Sequence, residues 1–101
     1  MLSILQNQTF ENAFPFPASQ FGDWTGRLAM FIARGAIASN VIGPVELVVS
    51  GAGTEGQSAT LSLTESHTAV PFGRYVFAIA LDPRTDRQQT VKSCCLRVME
   101  G

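Results

Sequence analysis

Hydrophobic and polar residues alternate with a period of two along much of this chain. In residues 74–81 the large apolar side chains share one parity: Tyr75, Phe77, Ile79 and Leu81. In residues 58–64 the apolar side chains again share one parity, alternating with serine and threonine: Ala59, Leu61 and Leu63. Successive side chains of a strand point to opposite faces of its sheet, so this alternation predicts half-buried β-strands.

Residues 24–34 are different, because they are apolar on both parities. One parity holds Trp24, Leu28, Met30 and Ile32, and the other holds Arg27, Ala29, Phe31 and Ala33. A strand with apolar side chains on both sides buries much of both faces. The pattern therefore predicts a strand over residues 24–34 that is covered on much of both faces.

Residues with strong turn preferences separate these short segments. Glycine, proline, asparagine and aspartate recur at residues 20–23, 43–44, 50–56, 71–73 and 82–86. Residues 65–70 fit a short helical turn, and the other connections are too short for crossover helices, so antiparallel pairing is expected. The predicted fold class is all-β: an antiparallel, immunoglobulin-like β-sandwich of about seven strands, ending in a hairpin over residues 74–99.

The N-terminal segment lacks clear alternation. Proline stands on both sides of Phe16, which favours an extended connection or an edge strand. We expect an extended N-terminal arm over residues 1–19 and a β-sandwich domain over residues 20–101. The candidate partner-binding residues are four phenylalanines in or near this arm: Phe10, Phe14, Phe16 and Phe21. Aromatic residues are enriched in interface cores, but the same rings can also seal the open end of the sandwich, and both interpretations stand.

Composition and charge exclude several classes of partner. Hydrophobic residues make up 46% of the chain and charged residues only 15%, against a typical value of about 25% charged. Seven basic and eight acidic residues nearly cancel, and without a basic stripe we expect no nucleic-acid binding. The longest apolar run, residues 28–33, is far shorter than the ~20 residues of a membrane helix. Residues 1–8 lack the features of a signal peptide, so we expect no membrane association and folding in a cytoplasm.

The residues able to carry acid–base or metal chemistry are scattered along the chain. His67 is the only histidine, and its neighbours do not have the spacing of a catalytic triad, so an exposed turn histidine is the simpler interpretation. Asp82 and Asp86 flank a turn, where aspartates commonly hydrogen-bond the backbone. We therefore expect no catalytic residues, no metal, no cofactor and no enzymatic activity.

Two further features have structural explanations. Cys94 and Cys95 are neighbours, so in a strand they point to opposite faces and cannot bridge each other without strain. The glycines of residues 50–56 resemble a phosphate-binding loop only superficially, because no lysine or helix follows at the required spacing. This segment is predicted to be a flexible loop.

Two aromatic residues are predicted to have structural roles. Trp24 is expected to anchor the core, although an exposed tryptophan beside Asp23 and Thr25 would form a stacking platform for a sugar. Tyr75 follows Gly73-Arg74 at the start of a strand, where it is expected to hydrogen-bond back to the backbone as a corner tyrosine does.

The order of these motifs is familiar. A tryptophan-led strand is followed by a Leu-x-Leu-Thr stretch, then a polar turn, a Gly-x-Tyr strand and a closing Leu-x-Val. The matching segments are residues 24–32, Leu61-Ser62-Leu63-Thr64, residues 73–79 and Leu96-Arg97-Val98. Over about residues 20–99 the chain resembles the small β-sandwich modules of tailed-bacteriophage virions, including the N-terminal domain of baseplate proteins that attach receptor-binding proteins.

The resemblance implies a virion component rather than an enzyme. It suggests a phage structural protein, made in the host cytoplasm, that acts as an adaptor linking tail or baseplate to fibres. Capsid decoration as a cement protein is the alternative, and a carbohydrate-binding module is a third possibility. The implied partners are other virion proteins from the tail, baseplate, fibre or capsid, together with further copies of the chain in a symmetric homo-oligomer.

Overall fold

The computed structural model describes residues 2–35, 41–83 and 85–100. Their elements in chain order are β1 (Leu2–Leu5), β2 (Phe10–Pro15), α1 (Ala18–Phe21), β3 (Ala29–Gly35), β4 (Val41–Glu46), β5 (Val48–Ser50), β6 (Ser58–Leu63), α2 (Glu65–Thr68), β7 (Gly73–Leu81) and β8 (Gln89–Met99). The two helices are single turns, so the prediction of an all-β protein is confirmed. No helix among these residues is long and apolar enough to cross a membrane.

The strands form two sheets around one core. The five-stranded sheet has the order β1-β8-β7-β3-β4, and the three-stranded sheet has the order β2-β6-β5. The neighbours are antiparallel except for β1 and β8, which run parallel. Phe77 of the larger sheet lies with its ring centre 5.9 Å from that of Phe14 of the smaller one, so the two sheets share their apolar interior.

The alternation in the sequence predicts the buried faces of β6 and β7 correctly. All four apolar side chains of the predicted set in β7 are buried: Tyr75, Phe77, Ile79 and Leu81. The same holds for the set in β6: Ala59, Leu61 and Leu63. The predicted hairpin over residues 74–99 is also present, because β7 and β8 pair antiparallel along their length.

The strand predicted over residues 24–34 is shorter in the structure. β3 begins only at Ala29, because Gly26 adopts a φ of 72° and turns the chain, and the Arg27 N–H donates to the Trp24 carbonyl across 3.0 Å. A positive φ suits glycine and interrupts an extended strand. Residues 24–28 therefore form a turn that leads into the strand.

The predicted N-terminal arm is not a separate arm in the structure. β1 pairs with β8 at the edge of the five-stranded sheet, and β2 pairs with β6 over its whole length. Residues 2–15 therefore contribute one strand to each sheet, and no break separates them from the rest of the domain at residue 19. These residues form strands because pairing satisfies backbone N–H and C=O groups that a free arm would leave to solvent.

Candidate functional site

The five-stranded sheet has an inner face toward the three-stranded sheet and an outer face on the opposite side. The outer face is defined by the alternate residues of the central strands β3 and β7, notably Met30 and Ile32 on the first and Val76, Ala78 and Ala80 on the second. These side chains are half-buried or exposed, and the described residues contain no third sheet that would cover them. This face is the candidate functional site.

The register of the strands fixes the neighbours on the outer face. From one end of the strands to the other, the rows are Glu46–Met30–Ala80, Ile32–Ala78–Ser93, Arg34–Val76–Cys95 and Arg74–Arg97–Ser3. Side chains within such a row stand about 5 Å apart. The apolar residues therefore form a continuous stripe across β3 and β7, with charged residues at both ends.

Part of the apolar stripe is exposed to solvent. Val76 is 53% exposed and Leu28, just before β3, is 40% exposed. Leu28 also lines a shallow, mainly apolar hollow of about 170 Å³, together with Met30, Ile32, Pro44 and Pro83. Contiguous exposed apolar surface with a polar rim is typical of protein-interaction sites.

Charges of opposite sign occupy opposite ends of the outer face. Glu46 lies in the first row, whereas Arg34 lies in the third, and Arg74 stands directly opposite Arg97 in the fourth. Like charges opposite each other in a sheet are unfavourable. The one ion pair that the described residues contain joins Arg27 and Asp82 elsewhere. Within those residues, the charged side chains of the outer face form no ion pair.

The four predicted partner-binding phenylalanines lie at the core instead. Phe14 is 6% exposed and Phe16 is 2% exposed, and the partly buried Phe10 and Phe21 pack against the same core. Phe14 and Phe16 are buried too deeply to form a docking surface in the folded domain, whereas Phe10 and Phe21 keep part of their surface accessible. The structure favours the second sequence-based interpretation, in which these rings close the protein's own interior.

A polar clasp holds this aromatic segment in place. The Gln57 side chain is buried, and its Nε2 donates to the carbonyls of Phe16 and Gly22, each at 2.8 Å. Its Oε1 accepts from the backbone N–H groups of Trp24 and Gly53, each at 2.9 Å. All of the amide's bonding capacity toward the backbone is used, so the segment after β2 is fixed to the glycine-rich loop.

The burial and hydrogen bonds of Trp24 and Tyr75 test the roles predicted for them. Trp24 is 1% exposed, its ring centre lies 4.7 Å from that of Phe16, and its indole N–H donates to the Phe21 carbonyl. It is a core anchor and cannot serve as a sugar platform. Tyr75 donates its hydroxyl to the Pro71 carbonyl at 2.7 Å, which confirms the predicted corner tyrosine.

The candidate acid–base residues do not converge. His67 lies in α2, where its Nδ1 accepts from the Thr64 N–H at 3.0 Å, so it caps the short helix. Asp82 accepts from Arg27 Nε at 2.6 Å, and this hydrogen bond holds the pKa of the Asp82 carboxyl below its usual value. No cluster of three potential metal ligands occurs in the part of the chain that the structure describes.

The adjacent cysteines point to opposite sides of β8, as the strand geometry predicts. Cys94 packs against the core, whereas Cys95 is exposed in the outer-face row of Val76. The glycine-rich loop is shaped by its own hydrogen bonds, since the Thr54 hydroxyl donates to the Gly51 carbonyl at 2.7 Å. The thiol of Cys95 is an exposed group on the outer face that a chemical probe can label.

The apolar character of the outer face is visible in the sequence, because residues 28–33 are apolar on both parities. A strand covered on both faces needs two partners, and the fold supplies only one. The N-terminal segment also carries a signal in its sequence: Phe10, Phe14 and Phe16 share one parity, which indicates a strand with one buried face. No sequence pattern predicts the burial of Gln57, since a single glutamine in a polar loop is normally exposed.

Sequence comparisons identify no relative of this chain. No protein-family model matches it, and no curated protein matches it in sequence. The functional interpretation therefore depends on the residues and geometry described above.

Proposed function

We propose that this chain is a non-enzymatic structural protein of a tailed-phage virion, an immunoglobulin-like β-sandwich that links tail or baseplate to fibres. The observation that carries the proposal is the partly exposed apolar outer face of β3 and β7, bordered by charges of both signs that have no ion-pair partner among the described residues. A face of this composition loses apolar area from water when another subunit covers it.

The resemblance of the sequence to small virion modules supplies the setting for this contact. The weakly charged composition, with 15% charged residues, agrees with a protein that is surrounded by other subunits. The four phenylalanines do not contribute to the proposal, because the domain uses them internally. The outer face replaces them as the proposed partner-binding surface.

The test compares two exposed valines on strands of different sheets. Val76 lies on the outer face of the five-stranded sheet at 53% exposure, and Val48 lies on β5 of the other sheet at 64% exposure. We expect Val76→Glu to fold normally but to be missing from purified particles, because burying a carboxylate in an interface is unfavourable. Val48→Glu should be incorporated like the unaltered chain.

The measurement is quantitative mass spectrometry of particles from cells that carry each variant. Separation of tails from heads distinguishes the adaptor role from capsid decoration, which would place the chain on heads. If the unaltered chain does not co-purify with particles, the virion role is wrong. If both valine variants are incorporated equally, the outer face is not the contact.

No observation favours the carbohydrate-binding alternative. That alternative requires an exposed tryptophan platform, and Trp24 is part of the core. We therefore retain capsid decoration as the single alternative within the virion setting.

A further inference from the structure

We propose that the outer face binds the outer face of a second copy of this chain, forming a two-fold dimer. This inference rests on the proposed function, because it assigns a partner to the same surface. It adds the identity of that partner and the residues that specify the contact. The evidence is the arrangement of charge and apolar residues on the face.

Ile32 lies near the centre of the apolar stripe. Its row, shared with Ala78, lies midway between the row of Glu46 and the row of Arg34. Two outer faces can pack around a two-fold axis that lies between them and crosses the strands at this row. Such an axis places Ile32 and Ala78 against the same residues of the second copy, which puts apolar surface at the centre.

The same two-fold axis exchanges the two rows that flank Ile32. The axis reverses the strand direction, so the row of Glu46 in one copy lies over the row of Arg34 in the other. Glu46 on β4 and Arg34 on β3 belong to adjacent strands, and adjacent strands are about 4.8 Å apart, a gap that an arginine side chain spans. The dimer therefore contains two symmetry-related Glu46–Arg34 contacts.

The charges of Glu46 and Arg34 are accessible to a second copy. Glu46 and Arg34 are exposed, and neither has an ion-pair partner among the described residues, where Arg27–Asp82 is the pair found. Their rows are four residues apart along β3, about 13 Å in an extended strand, so they cannot pair within one chain. The second copy supplies what each lacks.

The size of the face sets the strength to expect. Five strands at ~4.8 Å spacing and four rows of side chains give a plane of roughly 20 by 20 Å. Such a face buries less than the ~800 Å² per partner of a standard interface, so the dimer should be weak. We expect a dissociation constant of roughly 1 to 100 micromolar, which requires measurement up to several hundred micromolar.

The experiment is a charge exchange followed by sedimentation velocity of the full chain. The unaltered chain should shift from monomer to dimer as concentration rises. Glu46→Arg and Arg34→Glu should each weaken dimerisation at least tenfold, because each places like charges in contact. The double variant should recover to within a few-fold of the unaltered chain, since the pair is restored in reverse.

Matched controls separate the contact from general charge effects. Glu11→Arg alters an exposed strand glutamate on the three-stranded sheet and should leave the dimer unchanged. Circular dichroism of every variant should show the same β spectrum. Alkylation of Cys95 in a Cys94→Ser background should be slower in the dimer than in the Glu46→Arg monomer, because Cys95 lies on the covered face.

Two outcomes would overturn the proposal. One is an unaltered chain that stays monomeric at several hundred micromolar, and the other is a double variant no better than the single variants. If the chain is monomeric but Val76→Glu is still missing from particles, the self-pairing is wrong and the outer face binds a different protein. If the charge exchange succeeds but Val76→Glu enters particles, the dimer stands and the virion role of the face fails.

Discussion

The inner and outer faces of the five-stranded sheet are made by the same strands but differ in burial. Phe31 and Phe77 on the inner face are fully buried and stack with ring centres 5.3 Å apart. Ile32 and Val76, their neighbours in sequence, lie on the outer face and keep access to solvent. The strand period places adjacent residues on opposite sides of the sheet, so one strand can contribute to the core with one residue and to a solvent-accessible face with the next.

The largest effect should follow from breaking the inner face. Phe77→Ala removes a ring that contacts both Phe14 and Phe31, and we expect the free energy of unfolding to fall by about 3–5 kcal/mol. The adjacent outer-face change Val76→Ala should cost no more than about 0.5 kcal/mol. Urea denaturation measures both variants, and equal losses would contradict the separation of the two faces.

A slightly smaller effect is expected from the polar clasp at the end of the interior. Gln57→Leu keeps a side chain of similar size but leaves two carbonyls and two N–H groups without their partner. Unpaired buried groups cost about 1–3 kcal/mol each in the worst case, so we expect a total loss of about 3 kcal/mol after relaxation. Gln20→Leu, at an exposed position, is the control. A Gln57→Leu protein as stable as this control would show that the clasp is not needed.

The smallest effect concerns the boundary between the faces, where β3 begins and β7 ends. The Arg27 hydrogen bond lowers the pKa of Asp82 in the folded protein. The stabilisation is therefore fully present above the ordinary aspartate pKa of about 4 and is lost as pH falls through the lower folded pKa. Asp82→Asn should reduce the slope of stability against pH below about pH 4, as followed by thermal unfolding. An unchanged slope would assign the acid sensitivity to other carboxylates.

The parts of the fold that sequence predicts well are governed by local periodicity. The buried sets of β6 and β7 follow directly from alternation, and the helical turn at α2 follows from its position between polar residues and Pro71. The corner role of Tyr75 was predictable because its bonding partner is only four residues away. In each case the deciding interaction lies within the segment or close to it.

The parts that sequence does not predict depend on distant residues. Whether residues 2–15 form an arm or strands depends on β8 and β6, which lie far along the chain. The division of residues 45–49 between β4 and β5 has the same cause: the Leu47 N–H donates to the Ala29 carbonyl where the chain passes from one strand to the next. Periodicity shows which side chains are apolar, but it does not show which face of a sheet remains without cover.

The outer edge of β8 has a consequence for handling the protein. β1 pairs only with the last residues of β8, so residues 89–95 have no neighbouring strand on that side among the described residues. A free strand edge can template growth by other extended chains. Lys92 carries the single charge in this stretch, with its ammonium 6.0 Å from the Phe14 ring centre. We therefore expect acylation of Lys92, which removes this charge, to make the free edge more prone to pair with other chains.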